Sequence, residues 1–375
     1  MEARPVYPIG AERNYSIFDL LNNFANADYN DGQVSRLSDM HVKVGEVINF
    51  RVDSQLSPIE DGARCDAEMV KGLLYPILDS DKIALLEENP TQDVDAGYYW
   101  EKRNMAFRIN AFRDREGLAF VVRMLPQQIP DLGTLGFPKD TVWKEIANLS
   151  QGLVLISGVT GSGKSTTMNS IVQKISESRS CRVITLEDPI EYIHPSSNSI
   201  ISQREVGMHV DSFSGGLKSA LRENPDFILV GEMRDPETIS LAMTAAETGH
   251  LVLSTIHTRD VTGAITRILD SFPPEKQNNV ATQMSFSLVY IIAQKLVPRL
   301  DGSGRVPAME ILRINNSVAN QIRQKNLSQI YSSMETRSDE GMNTLEAHLS
   351  SLYHEGAISQ EDAEYYANDM KCLNL

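Results

Sequence analysis

The chain has 375 residues, 41% of them hydrophobic and 23% charged, with 35 Lys and Arg against 50 Asp and Glu for a net charge of -15. At ~100–200 residues per domain this length suggests two or three domains, two being the working expectation, and the acidic balance repels phosphate backbones, which argues against nucleic acid as a partner. Cys65, Cys181 and Cys372 are scattered and odd in number, so they exclude a disulfide framework and a CxxC zinc pair and read as reduced thiols.

The first thirteen residues are polar and hold no apolar core of a signal peptide, so nothing marks the chain for export and a cytoplasmic location is expected. A helix is predicted near Ile17 to Phe24. Met105, Phe107, Ile109 and Ala111 alternate with Arg108 and Asn110 as on a strand with one buried face. Asp114-Arg115-Glu116-Gly117 then reads as a hairpin turn into the apolar run Leu118 to Val122. Pro126, Pro130, Gly133, Gly136 and Pro138 cannot sustain a helix or a central strand. They mark a linker over 126–138, between an N-terminal domain (1–125) and a second domain (139–375).

Beyond Lys139, short apolar strands alternate with helical patterns: Leu153 to Ser157, Arg182 to Leu186, Phe227 to Val230 and Leu251 to Thr255. This is the signature of an α/β domain whose parallel sheet is covered by helices. The helix after the third strand is bounded by Asp235 as cap, Pro236 in its first turn and Gly249 past its end. The apolar run Phe286 to Ala293 is far shorter than the ~18–20 residues that cross a bilayer. The stripe Met342, Leu345, Leu349, Leu352, followed by Gly356 and by Ser359 and Asp362 at capping-box spacing, predicts two packed C-terminal helices.

The segment Gly158-Val159-Thr160-Gly161-Ser162-Gly163-Lys164-Ser165 follows a strand and opens a helix, the context a P-loop requires. Its glycines let backbone N–H groups turn in around a phosphate, the helix N-terminus adds positive potential, and Lys164 neutralises β/γ oxygens while Ser165 ligates Mg²⁺. Gly158, Thr160, Gly161, Ser162, Gly163, Lys164, Ser165 and Thr166 are the candidate residues for ATP. Hydrolysis needs carboxylates to hold the metal and orient water. Two acidic segments end strands on the edge where ligands gather: Thr185 to Tyr192, which includes Glu191, and Val230 to Asp235, which includes Glu232. Gly231 stands where an aspartate often ends the strand, which leaves one carboxylate to serve the metal. His250 and His257 flank the fourth strand with odd separation, so at most one faces the phosphates, and His257, at the carboxyl end, is the better placed. Arg108, Arg113 and Arg123 could supply transition-state charge in trans, or could be ordinary surface arginines.

The set GVTGSGKSTT, ITLEDPIEY, ILVGEMRD and GHLVLSTIHT resembles the type IV pilus retraction ATPases, the PilT group of the secretion ATPase superfamily, densely over residues 100–300. Ser38-Asp39-Met40-His41 and Gly341 to Leu345 extend the likeness over nearly the whole chain. The resemblance implies a homohexameric ring of subunits, each with a PAS-like N-terminal α/β domain and a RecA-like motor that hold ATP and Mg²⁺ between them. It makes Glu191 the general base, Glu232 the magnesium-side carboxylate and His257 the phosphate-sensing residue, and places Arg108, Arg113 and Arg123 where they approach nucleotide. The implied function is pilus retraction, and so twitching motility, at the cytoplasmic face of the inner membrane. There the ring acts on a platform protein and, through it, on pilins, without inserting into the membrane. A tetracysteine zinc insertion and a longer N-terminal region, found in extension and type II secretion relatives, are missing from the sequence, and the AIRNLIRE-like segment appears only as Ser317 to Gln324. A secretion or conjugation ATPase powering or regulating a transport channel is the alternative, with a nucleotide-gated structural ring as a third.

Overall fold

The computed structural model describes residues 4–10, 13–27, 37–52, 55–103, 105–125 and 128–375. Pro126 of the expected linker, part of the N-terminal thirteen, and the side chains of Phe24 and Ser38 lie outside the described residues. The chain forms two compact units, one reaching Gln128 and including Glu191–Ile193, the other comprising Ile129–Ile190 and His194–Leu375.

The first unit contains β1 (Tyr7–Ile9), β2 (Arg13–Tyr15), α1 (Ile17–Ala27), β3 (Leu37–Lys43), β4 (Asn49–Val52) and β5 (Gln55–Pro58). After these come α2 (Ala67–Leu74), α3 (Ser80–Glu88), β6 (Val94–Trp100), β7 (Met105–Asp114) and β8 (Gly117–Met124). Strands β3 to β8 make one antiparallel sheet in the order β5-β4-β3-β8-β7-β6. The pleat sends Met105, Phe107, Ile109 and Ala111 of β7 to the buried face. There they share a core with Leu20 and Leu21 of α1, Leu73 of α2 and Leu86 of α3. The turn from β7 to β8 is closed as the sequence predicts, since Asp114 Oδ1 accepts from the N–H groups of Glu116 (2.9 Å) and Gly117 (3.2 Å).

The second unit runs α4 (Asp140–Asn148), β9 (Gly152–Ser157), α5 (Lys164–Ser178), β10 (Arg182–Glu187), β11 (Ile200–Glu205), α6 (Phe213–Ala220) and β12 (Phe227–Val230). It continues with α7 (Pro236–Glu247), β13 (Leu251–Ile256), α8 (Val261–Asp270), α9 (Pro274–Ser287), β14 (Leu288–Pro298) and β15 (Arg305–Arg313). It ends with α10 (Asn316–Arg323), α11 (Ile330–Thr336), α12 (Leu345–His354) and α13 (Gln360–Tyr366). The sheet order is β11-β10-β12-β13-β9-β14-β15, parallel except for the β14–β15 pair. Helices cover the middle of the sheet on both faces, which is why its central strands β9, β12 and β13 are buried throughout and read as apolar runs. Leu153 and Leu155 of β9 join the α6–α9 core, whereas Val154 and Ile156 join Trp143 of α4 and Ile171 of α5. Leu132 is buried in this second core, and Pro130 accepts a hydrogen bond from Ser170 (2.7 Å).

Caps fall where the sequence places them. Asp235 accepts from Thr238 N–H at the start of α7, and Ser359 accepts from Asp362 N–H at the start of α13. Replacing such a cap by alanine costs about 1 kcal/mol. Leu345, Leu349 and Leu352 of α12 form a smaller core with Val297, Val306 and Ala363, so the C-terminal helices pack on the β14–β15 end of the sheet.

Candidate nucleotide-binding site

The phosphate loop leaves β9 at Ser157 and enters α5 at Lys164, with Gly163 in the left-handed region at φ 88°. A Cβ on Gly158 would fall 2.2 Å from Ser162 Oγ and 2.7 Å from the Gln294 carbonyl, so no other residue fits there. Lys164 is only 8% exposed, and its ammonium is held by the carbonyls of Gly158 (2.9 Å) and Val159 (3.0 Å). Ser162 Oγ is buried without a hydrogen-bond partner among the described residues, a donor that a ligand oxygen would satisfy. Ser165 and Thr166 occupy the first turn of α5, half-buried, while Thr160 and Gly161 are exposed at the loop's crown.

Gln294 of β14 stitches the loop to the sheet. Its Nε2 donates to the Ser162 carbonyl (2.6 Å) and its Oε1 accepts from Thr167 (3.0 Å), with the side chain fully enclosed. The sequence carried a trace of this role, one glutamine inside the apolar run of 288–297, but the strand itself went unrecognised.

At the ends of β12 and β13 the chain assembles an acid, an arginine and an imidazole. Glu232 binds Arg234 at 2.7 Å and approaches His257 Nε2 at 3.4 Å. Met233 N–H donates to the Thr255 carbonyl (3.1 Å), Thr255 Oγ1 to the Gly231 carbonyl (2.6 Å), and Ser157 Oγ to the Thr258 carbonyl (2.9 Å). The loops after β9, β12 and β13 are thereby tied together. Gly231 packs against Leu186, whose carbonyl would lie 3.2 Å from an added Cβ and which accepts the Gly231 N–H at 2.7 Å. Close approach of backbone accounts for glycine where an acid was looked for. Burial, and after it the charge of Lys164, push the His257 pKa below its usual value against the opposing pull of Glu232. His250, by contrast, caps the end of α7 through the Ala245 carbonyl (3.0 Å), a structural role.

Glu187, at the end of β10, and Glu191, beyond it, part company. Glu187, which sequence reasoning did not single out, is 5% exposed at the end of the strand, with Oε1 accepting from Thr185 (2.6 Å) and Gln203 (3.2 Å). Glu191 is half-buried in the tripeptide that groups with the first unit.

The three arginines of the first unit also divide. Arg108 and Arg123 are cross-strand neighbours on β7 and β8, next to Asp39 of β3. Arg123 pairs with buried Asp39 at 2.7 Å, and Arg108 lies 3.9 Å from Asp95. Arg113, five residues beyond Arg108, has the opposite pleat parity and turns to the end of α3, where it donates to the Leu86 carbonyl (3.2 Å) and sits 3.9 Å from Glu87. They do not form one cationic group.

A profile of the family described as Type II/IV secretion system protein matches residues 18–370. The chain is 41% identical over 310 residues to a twitching motility protein of Neisseria gonorrhoeae, covering 82% of this chain and 81% of that one. It is 39% identical over 332 residues to the type IV pilus retraction ATPase PilT of Pseudomonas aeruginosa, covering 87% and 93%. Among solved structures, the pilus retraction motor PilT with bound ADP superposes with a TM-score of 0.86 at 38% identity, covering 96% of this chain and 99% of that one. The Legionella pneumophila ATPase DotB superposes at 0.79 with 27% identity, covering 96% and 97%. A RecA-like motor preceded by a smaller α/β domain is the common architecture, and the chain belongs to the type II/IV secretion system protein family.

Proposed function

We propose that this chain is a motor ATPase that binds ATP at residues 158–166 and couples its hydrolysis to retraction of a type IV pilus. The observation that carries the reading is the phosphate loop: Lys164 is sunk between two loop carbonyls, and Glu232 and His257 stand at the adjacent strand ends. Phosphate oxygens would take the place of those carbonyls around the ammonium and gain the α5 N-terminus. Glu191 takes the proton of the attacking water. Glu187 is already engaged by Thr185 of its own strand and Gln203 of β11, so it ties β10 to β11 instead. Arg108 and Arg123 are the arginines suited to offer charge to a phosphate. Arg113 is the least suited.

Magnesium, when bound, shields phosphate charge, and the hydroxyl of Ser165 with the carboxylate of Glu232 are the hard oxygen donors to hold it. No group of three or more His, Cys, Asp or Glu able to hold a metal occurs among the described residues, so phosphate and water would complete the shell.

The acting form is a homohexameric ring at the cytoplasmic face of the inner membrane, bearing on a pilus platform protein and through it on pilins. No helix among the described residues is long and apolar enough to cross a membrane. A secretion role is the second reading, since type II secretion proteins E are 32–33% identical. The chain spans only 46–55% of those proteins, however, against 81–93% of the two pilus relatives, which favours retraction.

The test pairs ATP turnover of the purified chain with a gene deletion scored for surface pili. Lys164→Ala should abolish turnover, and the deletion should leave excess fibres and no twitching. Turnover equal to wild type in the variant would remove the assigned site. Normal twitching in the deletion strain would remove the retraction role. A variant that binds ATP without hydrolysing it and yet supports twitching would favour a structural ring.

A further inference from the structure

The chain between β10 and β11, residues 188–199, forms neither helix nor strand, so no regular ladder sets the reach of Glu191. A group that takes a proton from water must nevertheless be closely aimed, since a misplacement of about 1 Å costs about 10²-fold. We propose that His194 and Glu205 are positioning residues that hold the Glu191 segment at a fixed reach from the first turn of α5. The inference rests on the reading of Glu191 as the base and adds what places it.

β11 grips the segment at both ends. Gln203 and Glu205 are two residues apart, so they project from the same face of the strand. Gln203 Oε1 accepts the His194 N–H at 2.9 Å, and Glu205 Oε2 accepts the Ile190 N–H at 3.2 Å. The residues immediately before and after Glu191–Ile193 are thereby fixed within the second unit. Gln203 is itself held, because its Nε2 donates to Glu187 at 3.2 Å on the neighbouring strand β10.

The His194 ring carries this hold to the phosphate site. It is buried, and its Nε2 lies 2.6 Å from Oδ1 of Asn169 in α5. The other arm of that amide donates to the Ser165 carbonyl at 2.9 Å, so Oδ1 faces the ring and Nε2 is the donor. Nδ1 has no hydrogen-bond partner among the described residues, so the polar attachment of the ring is this one bond. Ser165 is the residue whose hydroxyl would hold magnesium. One chain of side-chain contacts therefore spaces the base segment from the metal-side turn of α5.

The test measures turnover and, by calorimetry, ATP binding on the full chain with magnesium, at a temperature where circular dichroism shows each variant folded. His194→Met removes the donor and should lower kcat about 10–10²-fold while ATP affinity stays at the wild-type value. His194→Gln, whose amide donates from nearly the same point, should restore most of the turnover. Glu205→Met and Glu205→Gln should divide in the same way, since only the second keeps an acceptor for the Ile190 N–H. Glu205 is half-buried, so this pair stays readable where His194→Met does not fold. The deciding measurement uses the Glu191→Gln background, in which His194→Met or Glu205→Met should cost nothing further, as expected of residues acting through the same group. Losses that multiply there, or a fall in ATP affinity that matches the fall in kcat, would overturn the positioning role while Glu191→Gln alone stays slow. Glu191→Gln turning over at the wild-type rate would instead overturn the base reading, and the positioning role with it.

Discussion

Glu232 and His257 meet at 3.4 Å from the carboxyl ends of adjacent parallel strands, with Arg234 closing on the second carboxylate oxygen at 2.7 Å. Desolvation, and after it the charge of Lys164, lower the imidazole's pKa. Glu232 is the charge opposing that depression. Glu232→Gln should therefore move the His257 titration to still lower pH, followed by NMR, and lower turnover about 10²–10³-fold as an aimed charge is lost. An unmoved titration would show that the two groups do not communicate.

Glu191 and Glu187 yield opposite expectations from the same substitution. Glu191→Gln should keep ATP binding and lose about 10²–10⁴-fold in turnover, since an amide cannot take the water's proton. Glu187→Gln disturbs a buried carboxylate that accepts from Thr185 and Gln203, so its effect should appear first as a lower melting temperature, from about 1–3 kcal/mol of lost stability. Equal turnover losses with equal melting temperatures would mean that the roles are not divided in this way.

What could be read from sequence was what is local. The strand, loop and helix from Leu153 to Ser178 announce themselves because glycine spacing, apolar run and lysine lie side by side. The same is true of the Asp235 and Ser359 caps, which reach only three residues. β14 escaped because α9 passes into it at Ser287–Leu288 with no breaker between them, and its pairing with β9 spans more than a hundred residues. β15 escaped because Pro307 reads against a strand, and is tolerated there because β15 is the sheet edge. Gln294 was lost with β14, and with it the tie that holds the phosphate loop. The arginines show the opposite failing: parity alone separates Arg108 from Arg113, and treating them as one group overlooked it.

Arg123 and Arg108 should part in a stability measurement. Asp39 is 4% exposed and pairs with Arg123 at 2.7 Å and with Arg51 at 4.0 Å, whereas the Arg108 contact to Asp95 is solvent-facing at 3.9 Å. Arg123→Ala removes the 2.7 Å partner of a buried carboxylate and should cost about 1–3 kcal/mol. Arg108→Ala should cost under about 1 kcal/mol. Urea midpoints decide the matter, and equal midpoints for the two variants would refute it. Any loss of turnover in Arg123→Ala must therefore be read at a temperature where the variant is folded, while a loss in Arg108→Ala reports on chemistry directly.

A buried acid of the second unit sets a pH dependence of its own. Glu310 of β15 is buried, its Oε2 has no hydrogen-bond partner among the described residues, and desolvation, then the charges of Asp260 and Glu346, push its pKa from 4.5 to about 8 against the Val261 N–H and Lys295. The native state keeps this proton where the unfolded chain has shed it, so stability is complete below pH 4.5 and drains away as the pH climbs through about 8. His194 and His348 work in the other direction. Burial lowers both from 6.5 to about 4, and the stability they contribute is present above 6.5 and lost as the pH falls toward 4. Glu310→Gln removes only the first of these. The variant's melting temperature should gain on wild type steadily from about pH 5 to pH 8, while the two acid limbs run parallel. A constant difference between the two proteins across that range would mean that Glu310 enters the folded state ionised, with a partner that compensates its charge.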